Sequence, residues 1–155
     1  MKLAWLIAAM VLCVAPGASA QTEQRTLPLP KPPVPLNEQQ LRDEVPGNTF
    51  SGRHDSGMEF SEYHAPDGRI FGHNGDDPVR DGCWAIKGDS VCYSYERGVA
   101  PGVFCWRYFR RDDGRYRILL PRSGTLGTAL RETGNPRSHS DNGQPWDCAP
   151  QVSRR

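Results

Sequence analysis

Three histidines and a glutamate, His54, His64, His73 and Glu62, could together hold a transition metal. Imidazole and carboxylate groups are ordinary zinc ligands. However, no two of these histidines have the i, i+4 spacing that places a pair on one helix face, and no cysteine adjoins them. The pattern therefore favours surface histidines over a metal site.

An acidic segment, Asp76, Asp77 and Asp81, could bind calcium through its carboxylates. It lacks the alternating spacing and the following glutamate of a calcium-binding loop, and Pro78 interrupts it. We therefore expect a solvated acidic loop. No Gly-x-Ser-x-Gly motif accompanies the serines, so the sequence predicts neither catalytic residues nor a cofactor. We expect a protein that is not an enzyme.

Five arginines lie within eleven residues and could bind an acidic ligand or an anionic glycan. The candidates for this binding are Arg107, Arg110 and Arg117, with Arg111 and Arg115 between them. Such a run is more often the solvated face of a sheet, because charged side chains at alternate strand positions point to water. The sequence is compatible with both interpretations.

The first 20 residues have the pattern of a signal peptide. Lys2 provides the positive end, residues 3–14 the apolar run, and Ala18-Ser19-Ala20 a cleavage site, so we expect cleavage after Ala20. The apolar run is too short for a spanning helix. Residues 21–36 are rich in proline and should form an extended tether. The chain is thus expected in the periplasm or secreted, with no integral membrane segment after signal removal.

The mature chain is electrically balanced. Of the 19 basic residues only Lys2 falls in the signal, which leaves 18 basic residues against 18 acidic ones. A neutral chain is a poor general binder of nucleic acid or anionic membranes. We therefore expect a protein partner or a small ligand, and no nucleic acid.

Residues 37–155 are expected to fold as one β-domain with a single short helix at its start. Asn37 is a good N-cap with Gln40 at the capping-box position, while Leu36 and Leu41 can form a hydrophobic staple. Pro46 and Gly47 should end the helix. A helix this short must dock on another element, and an open end of the sheet is the natural partner.

The stretch from Gly82 to Leu120 alternates between apolar or aromatic and other residues, which predicts four antiparallel strands. Gly88-Asp89 fits a two-residue turn, and Asp112-Asp113-Gly114 a three-residue turn. The resulting register gives one apolar face, with Trp106 central in the core. That face comprises Trp84, Ile86, Val91, Tyr93, Phe104, Trp106, Tyr108, Ile118 and Leu120. We predict a meander that closes into a small barrel or a strongly curved sheet.

The same register predicts the disulfides. Four cysteines remain after signal removal, and an even number in an exported chain without a C-x-x-C pair favours two disulfides over zinc. Cys92 lies directly opposite Cys105, at a separation that a disulfide tolerates. Cys83 is then left for Cys148, which would pin the C-terminal tail across the sheet.

The flanks of the meander are predicted less fully. Ala65-Pro66-Asp67-Gly68-Arg69 is a turn signal, because proline fixes φ and glycine takes the positive φ. The register of its hairpin stays open: Phe60 and Ile70 suggest one face, Tyr63 and Phe71 the other. Residues 125–130 fit a last edge strand, and the tail should be irregular from about residue 133.

Several short motifs occur together in a recognisable order. They are Gly47-Asn48-Thr49, Tyr63-His64-Ala65-Pro66-Asp67-Gly68, Gly82-Cys83-Trp84, Gly88-Asp89-Ser90-Val91-Cys92, Cys105 and Gly114-Arg115-Tyr116. In this combination the chain resembles a family of small exported proteins of unknown function, found mainly in alphaproteobacteria. The resemblance spans about residues 37–120. That family has no assigned activity, so it implies no functional residue.

These features together predict a non-enzymatic β-domain of the cell envelope that binds a protein partner or a small ligand. The alternative is an inhibitor of an envelope hydrolase such as a lysozyme or a protease. Loops held rigidly by disulfides suit inhibition, because little conformational entropy is lost when they bind. The loops that could serve are residues 96–101 and 134–145.

Overall fold

The computed structural model describes residues 33–96 and 101–148 of the 155-residue chain. The predicted signal peptide, residues 1–20, and most of the predicted tether lie outside the described residues. In the described part the chain forms a helix followed by nine strands. These are α1 Glu38–Glu44, β1 Asn48–His54, β2 Glu59–His64, β3 Ile70–Asn74, β4 Asp77–Pro78, β5 Cys83–Lys87, β6 Ser90–Tyr95, β7 Gly102–Arg110, β8 Tyr116–Leu120 and β9 Thr125–Thr133.

The helix begins and ends as predicted. The Asn37 side chain accepts a hydrogen bond from the Gln40 backbone N–H at 2.9 Å, and the Gln40 side chain accepts one from the Asn37 N–H at 3.0 Å. Leu36, Leu41 and Val45 are all buried in the core. These contacts hold α1 against β5 and β6 at one end of the sheet.

The nine strands form one antiparallel sheet in the order β4-β3-β2-β1-β9-β8-β7-β6-β5, which curves into a half-barrel. The prediction of a mainly β meander is thereby confirmed. At one end the half-barrel nearly closes, because Arg69 and Cys83 form an isolated bridge between the start of β3 and the start of β5. The Ile70 N–H donates to the Gly82 carbonyl oxygen at 2.9 Å, and the Trp84 N–H to that of Gly68 at 2.8 Å.

The predicted register of the meander is confirmed at each turn. Ile86 faces Val91, Tyr93 faces Phe104 and Tyr108 faces Ile118. The predicted face is also the concave one, but it is not uniformly buried. Trp84, Val91, Tyr93, Tyr108 and Ile118 are buried, whereas Ile86, Phe104, Trp106 and Leu120 are half-buried. Trp106, expected at the centre of the core, instead stands beside an open space.

The first hairpin has Tyr63 opposite Phe71 and His64 opposite Ile70. Both of the suggested faces therefore exist, on opposite sides of the sheet. Ile70 belongs to the concave core, while the rings of Tyr63 and Phe71 stack on the outer side with centroids 6.3 Å apart.

The prediction of an edge strand at residues 125–130 is wrong. β9 runs to Thr133 and pairs with both β8 and β1, so it lies inside the sheet. Its concave-face positions hold the small residues Gly127 and Ala129, against which larger neighbours such as Ile118 pack. Small inward residues weaken the apolar alternation, which is why this strand looks peripheral in the sequence.

Both predicted disulfides, Cys92–Cys105 and Cys83–Cys148, are present. Residues 134–148, called the strap below, follow β9 without helix or strand and cross the outer side of the sheet. His139 hydrogen-bonds Ser61 at 2.8 Å, and the Trp146 indole N–H donates to the Gly82 carbonyl at 2.9 Å. Within residues 33–96 and 101–148 there is no helix with the length and apolar character needed to cross a membrane.

Candidate functional site

The concave side of the half-barrel contains a cavity of about 230 Å³. It lies toward the end away from α1, where Ser56 and Met58 of the β1–β2 connection and Thr125 at the start of β9 line it. Its walls are mostly aromatic, because period-two alternation sends every second residue of β2, β6 and β7 inward. The aromatic residues are Phe60, Tyr93, Tyr95, Phe104, Trp106 and Tyr108.

Glu62 is the buried carboxyl of this cavity and is only 6% exposed. Its Oε1 accepts hydrogen bonds from the Tyr95 hydroxyl and from the Asn74 side-chain amide, each at 2.7 Å. Burial raises the pKa of Glu62 to about 7, although both hydrogen bonds act in the opposite direction. No described residue donates to Oε2, which leaves that oxygen for the cavity.

The raised pKa of Glu62 has a consequence for stability. Between pH 4.5 and about 7 the folded protein keeps a proton that the unfolded chain releases, so stability falls as pH rises through this range. The loss amounts to about 3 kcal/mol. Glu62→Gln should therefore be more stable than the wild type by up to this amount above about pH 7, and equal to it below about pH 4.5. Urea melts across this pH range measure the difference.

Glu59→Gln is the matched control for this measurement, because Glu59 lies on the same strand with its side chain 64% exposed. We expect no pH-dependent gain from that variant. A Glu62→Gln variant whose stability differs from the wild type by the same amount at every pH would contradict the raised pKa.

His54 also lines the cavity, contrary to the expectation of a surface histidine. Its ring lies between those of Phe60 and Trp106, with centroid distances of 4.9 and 5.3 Å. Burial lowers the pKa of His54 and outweighs the opposing effect of Asp55. The imidazole therefore contributes a neutral, flat wall to the cavity near neutral pH.

His64 is fully buried, so the expectation of a surface histidine is wrong here as well. Its Nε2 lies 2.7 Å from the Tyr93 hydroxyl, which in turn lies 2.6 Å from the Tyr108 hydroxyl. Burial lowers the pKa of His64 to about 3 and raises the pKa of Tyr108 above its ordinary range. These three hydrogen-bonded, uncharged side chains, His64, Tyr93 and Tyr108, link β2, β6 and β7 beneath the cavity. His64 has the same strand parity as Phe60 and Glu62, a signal that could have placed it inside.

The three candidate arginines are not brought together. Arg107 pairs with Asp89 at 3.1 Å and Arg117 with Asp55 at 3.0 Å, both on the outer side of the sheet. Arg110 has the opposite parity and pairs with Glu44 of α1. Each guanidinium thus has a carboxylate of the chain as its partner.

The acidic segment is only partly solvated. Asp76 and Asp77 are exposed as expected, but Asp81, two residues before β5 begins, is buried. Within the described ranges, no three His, Cys, Asp or Glu side chains are grouped so that they could hold a metal ion.

The cavity has the composition of a ligand site: concave, largely apolar and aromatic, with a few polar groups that can fix orientation. Those polar groups are the Glu62 carboxyl, the Asn74 amide and the His54 imidazole. No protein-family model, curated protein or solved structure matches the chain. The residues that line the cavity therefore indicate what this site can bind.

Proposed function

We propose that this protein is an exported, non-enzymatic β-domain that binds a small ligand in the cavity of its half-barrel. One observation carries the proposal: an aromatic cavity of about 230 Å³ with a buried carboxyl that has one oxygen unused. Side chains normally fill the interior of a domain of this size. An unfilled space beside Trp106 therefore supports a ligand-binding role.

The volume limits the ligand to a small molecule. An apolar protein cavity of about 150 Å³ can hold benzene. The cavity here is half as large again, which suits a substituted single ring or a compact bicyclic molecule of about ten heavy atoms.

The envelope is the proposed location, in the periplasm or as a secreted protein. The signal-like residues 1–20 and the resemblance to exported alphaproteobacterial proteins support it. The two disulfides agree with a compartment outside the reducing cytoplasm.

Inhibition of an envelope hydrolase, a lysozyme or a protease, is the second candidate. The strap favours it, because residues 134–145 are largely exposed yet held at both ends, by β9 and by Cys148. Of the other loop suggested by the sequence, residues 97–100 lie outside the described residues.

Native mass spectrometry of the protein purified from bacterial envelopes separates the two functions. We expect the chain to carry a noncovalent small molecule, which Leu120→Trp should displace because Leu120 lines the cavity. Leu130→Trp is the matched control, since Leu130 is 45% exposed on the outer side of β9. A stoichiometric hydrolase in place of the small molecule, retained by Leu120→Trp, would support the inhibitor instead.

A further inference from the structure

We propose that the cavity selects a cationic amine attached to a flat apolar body, with the Glu62 carboxylate as the group that receives the amine. This inference rests on the proposed ligand-binding function and specifies its ligand class. Three features of the lining carry it: the aromatic walls, the sign of the lining charges and the hydrogen bonding of Glu62.

The aromatic walls suit both parts of such a ligand. Flat rings such as those of Trp106 and Phe104 offer apolar faces to a flat body. The same faces carry negative quadrupole charge, so they also attract a cation, and cages of aromatic rings are a common way to bind organic ammonium groups. Tyr93 and Tyr95, whose rings are parallel within 3°, place two such rings next to Glu62.

The charged residues of the lining exclude an anionic ligand. Glu62 and Asp77 are acidic, and no lysine or arginine is among the described residues that line the cavity. An anionic ligand would therefore meet a buried carboxyl without a compensating positive charge, which is strongly unfavourable. A cation would supply the charge that the buried Glu62 lacks.

The hydrogen bonding of Glu62 leaves a defined place for a donor. Two groups of the protein donate hydrogen bonds to this carboxyl, the Tyr95 hydroxyl and the Asn74 amide, and both bind Oε1. They hold the carboxyl group between β3 and β6. Oε2 receives no hydrogen bond from a described residue, and the side chain lines the cavity. An ammonium group has donors to spare and no acceptor, so it fits this oxygen.

Amine affinity should depend on pH through Glu62. The groups that face or adjoin this carboxyl are Tyr95 and Tyr93 on β6, Tyr108 on β7, Asp77 on β4 and His54 on β1. The tyrosines keep their protons, because burial raises the pKa of each, and burial lowers the pKa of His54, which favours its neutral form. Because the pKa of Glu62 is about 7, its ionised fraction rises about tenfold from about pH 6 to about pH 8. The affinity for an amine should rise by a similar factor.

The test is calorimetric titration of the purified protein with phenethylamine, phenethyl alcohol and phenylacetate, which share a ring and differ in the charge of the head group. At about pH 8 we expect the amine to bind at least tenfold more tightly than the alcohol, and phenylacetate not to bind. Glu62→Gln should remove the advantage of the amine and leave the alcohol unchanged. Glu59→Gln, exposed on the same strand, should bind all three as the wild type does.

Two results would overturn this inference. If the alcohol or phenylacetate binds as tightly as the amine, and Leu120→Trp abolishes that binding, the cavity is a ligand site but has no preference for cations. If the amine advantage persists in Glu62→Gln, the amine does not bind to this carboxyl. In either case the proposed ligand-binding function survives, whereas a cavity that binds none of the probes and carries no molecule in native mass spectra ends both proposals.

Discussion

Replacing Cys83 and Cys148 together with serine is expected to destabilise the domain by about 4 kcal/mol and to release the strap. This disulfide joins residues separated by 65 positions, so its loss returns much conformational freedom to the unfolded chain. The strap then keeps polar contacts, such as that of His139 with Ser61, and the packing of Trp146 on Phe71, whose ring centroids are 5.3 Å apart. Urea melts give the stability, and limited proteolysis reports the strap.

The double replacement of Cys92 and Cys105 is the natural comparison. These cysteines are 13 positions apart on neighbouring strands, so the expected loss is nearer 3 kcal/mol. Their removal should leave the strap protected from protease. Equal cleavage of the strap in both double variants would show that Cys148 does not hold it.

Phe50→Ala should destabilise the protein by about 3–5 kcal/mol. Phe50 is 1% exposed and makes edge-to-face contacts with His64, Tyr108 and Tyr116, at centroid distances of 5.4, 5.4 and 5.5 Å. Truncation would leave a void beside the hydrogen-bonded side chains of His64, Tyr93 and Tyr108, because the surrounding strands cannot collapse freely. Denaturant melts at neutral pH measure the loss.

Phe109→Ala is the matched control, because it also removes a phenyl ring, but from a half-buried position on the outer side of β7. It should cost about 1 kcal/mol, as partial burial gives less transfer free energy and no void. If the Phe50→Ala variant is as stable as Phe109→Ala, Phe50 is not part of the core.

The sequence predicted best the features that local chemistry determines. The capping box of Asn37 and Gln40 defines α1, and the turn at Gly88-Asp89 sets which residues of β5 and β6 face each other. Once the register placed Cys92 opposite Cys105, the remaining disulfide followed by elimination. Each of these inferences uses neighbours in sequence or a single hairpin, where few alternatives exist.

Long-range pairing was harder to predict. The position of β9 between β1 and β8 joins residues some 80 positions apart, and its inward glycine and alanine carry no strong apolar pattern. The residues predicted to share one apolar face do share the concave face, but the sequence pattern does not show that this face borders a cavity. Alternation shows which side chains point inward, yet it cannot show whether their volumes fill the space between them. Alternation therefore predicts a filled core around Trp106, whereas in the structure Trp106 borders a cavity.

The sequence does not identify Glu62 as a cavity residue, for a related reason. In the sequence it stands among histidines, which suggests a metal site, while its actual partners Tyr95 and Asn74 come from other strands. Parity with Phe60 indicates that Glu62 points inward, and an inward carboxyl in a neutral environment is a functional candidate. That signal becomes informative only once the cavity is known.

The most direct test of the ligand-binding site is a crystal structure of the protein purified from bacterial envelopes without added ligands. We expect electron density for a small flat molecule in the cavity, in contact with Trp106 and with a donor within hydrogen-bond distance of Glu62 Oε2. Density for ordered water alone, or side chains that collapse into the space, would contradict ligand binding as the function of this half-barrel.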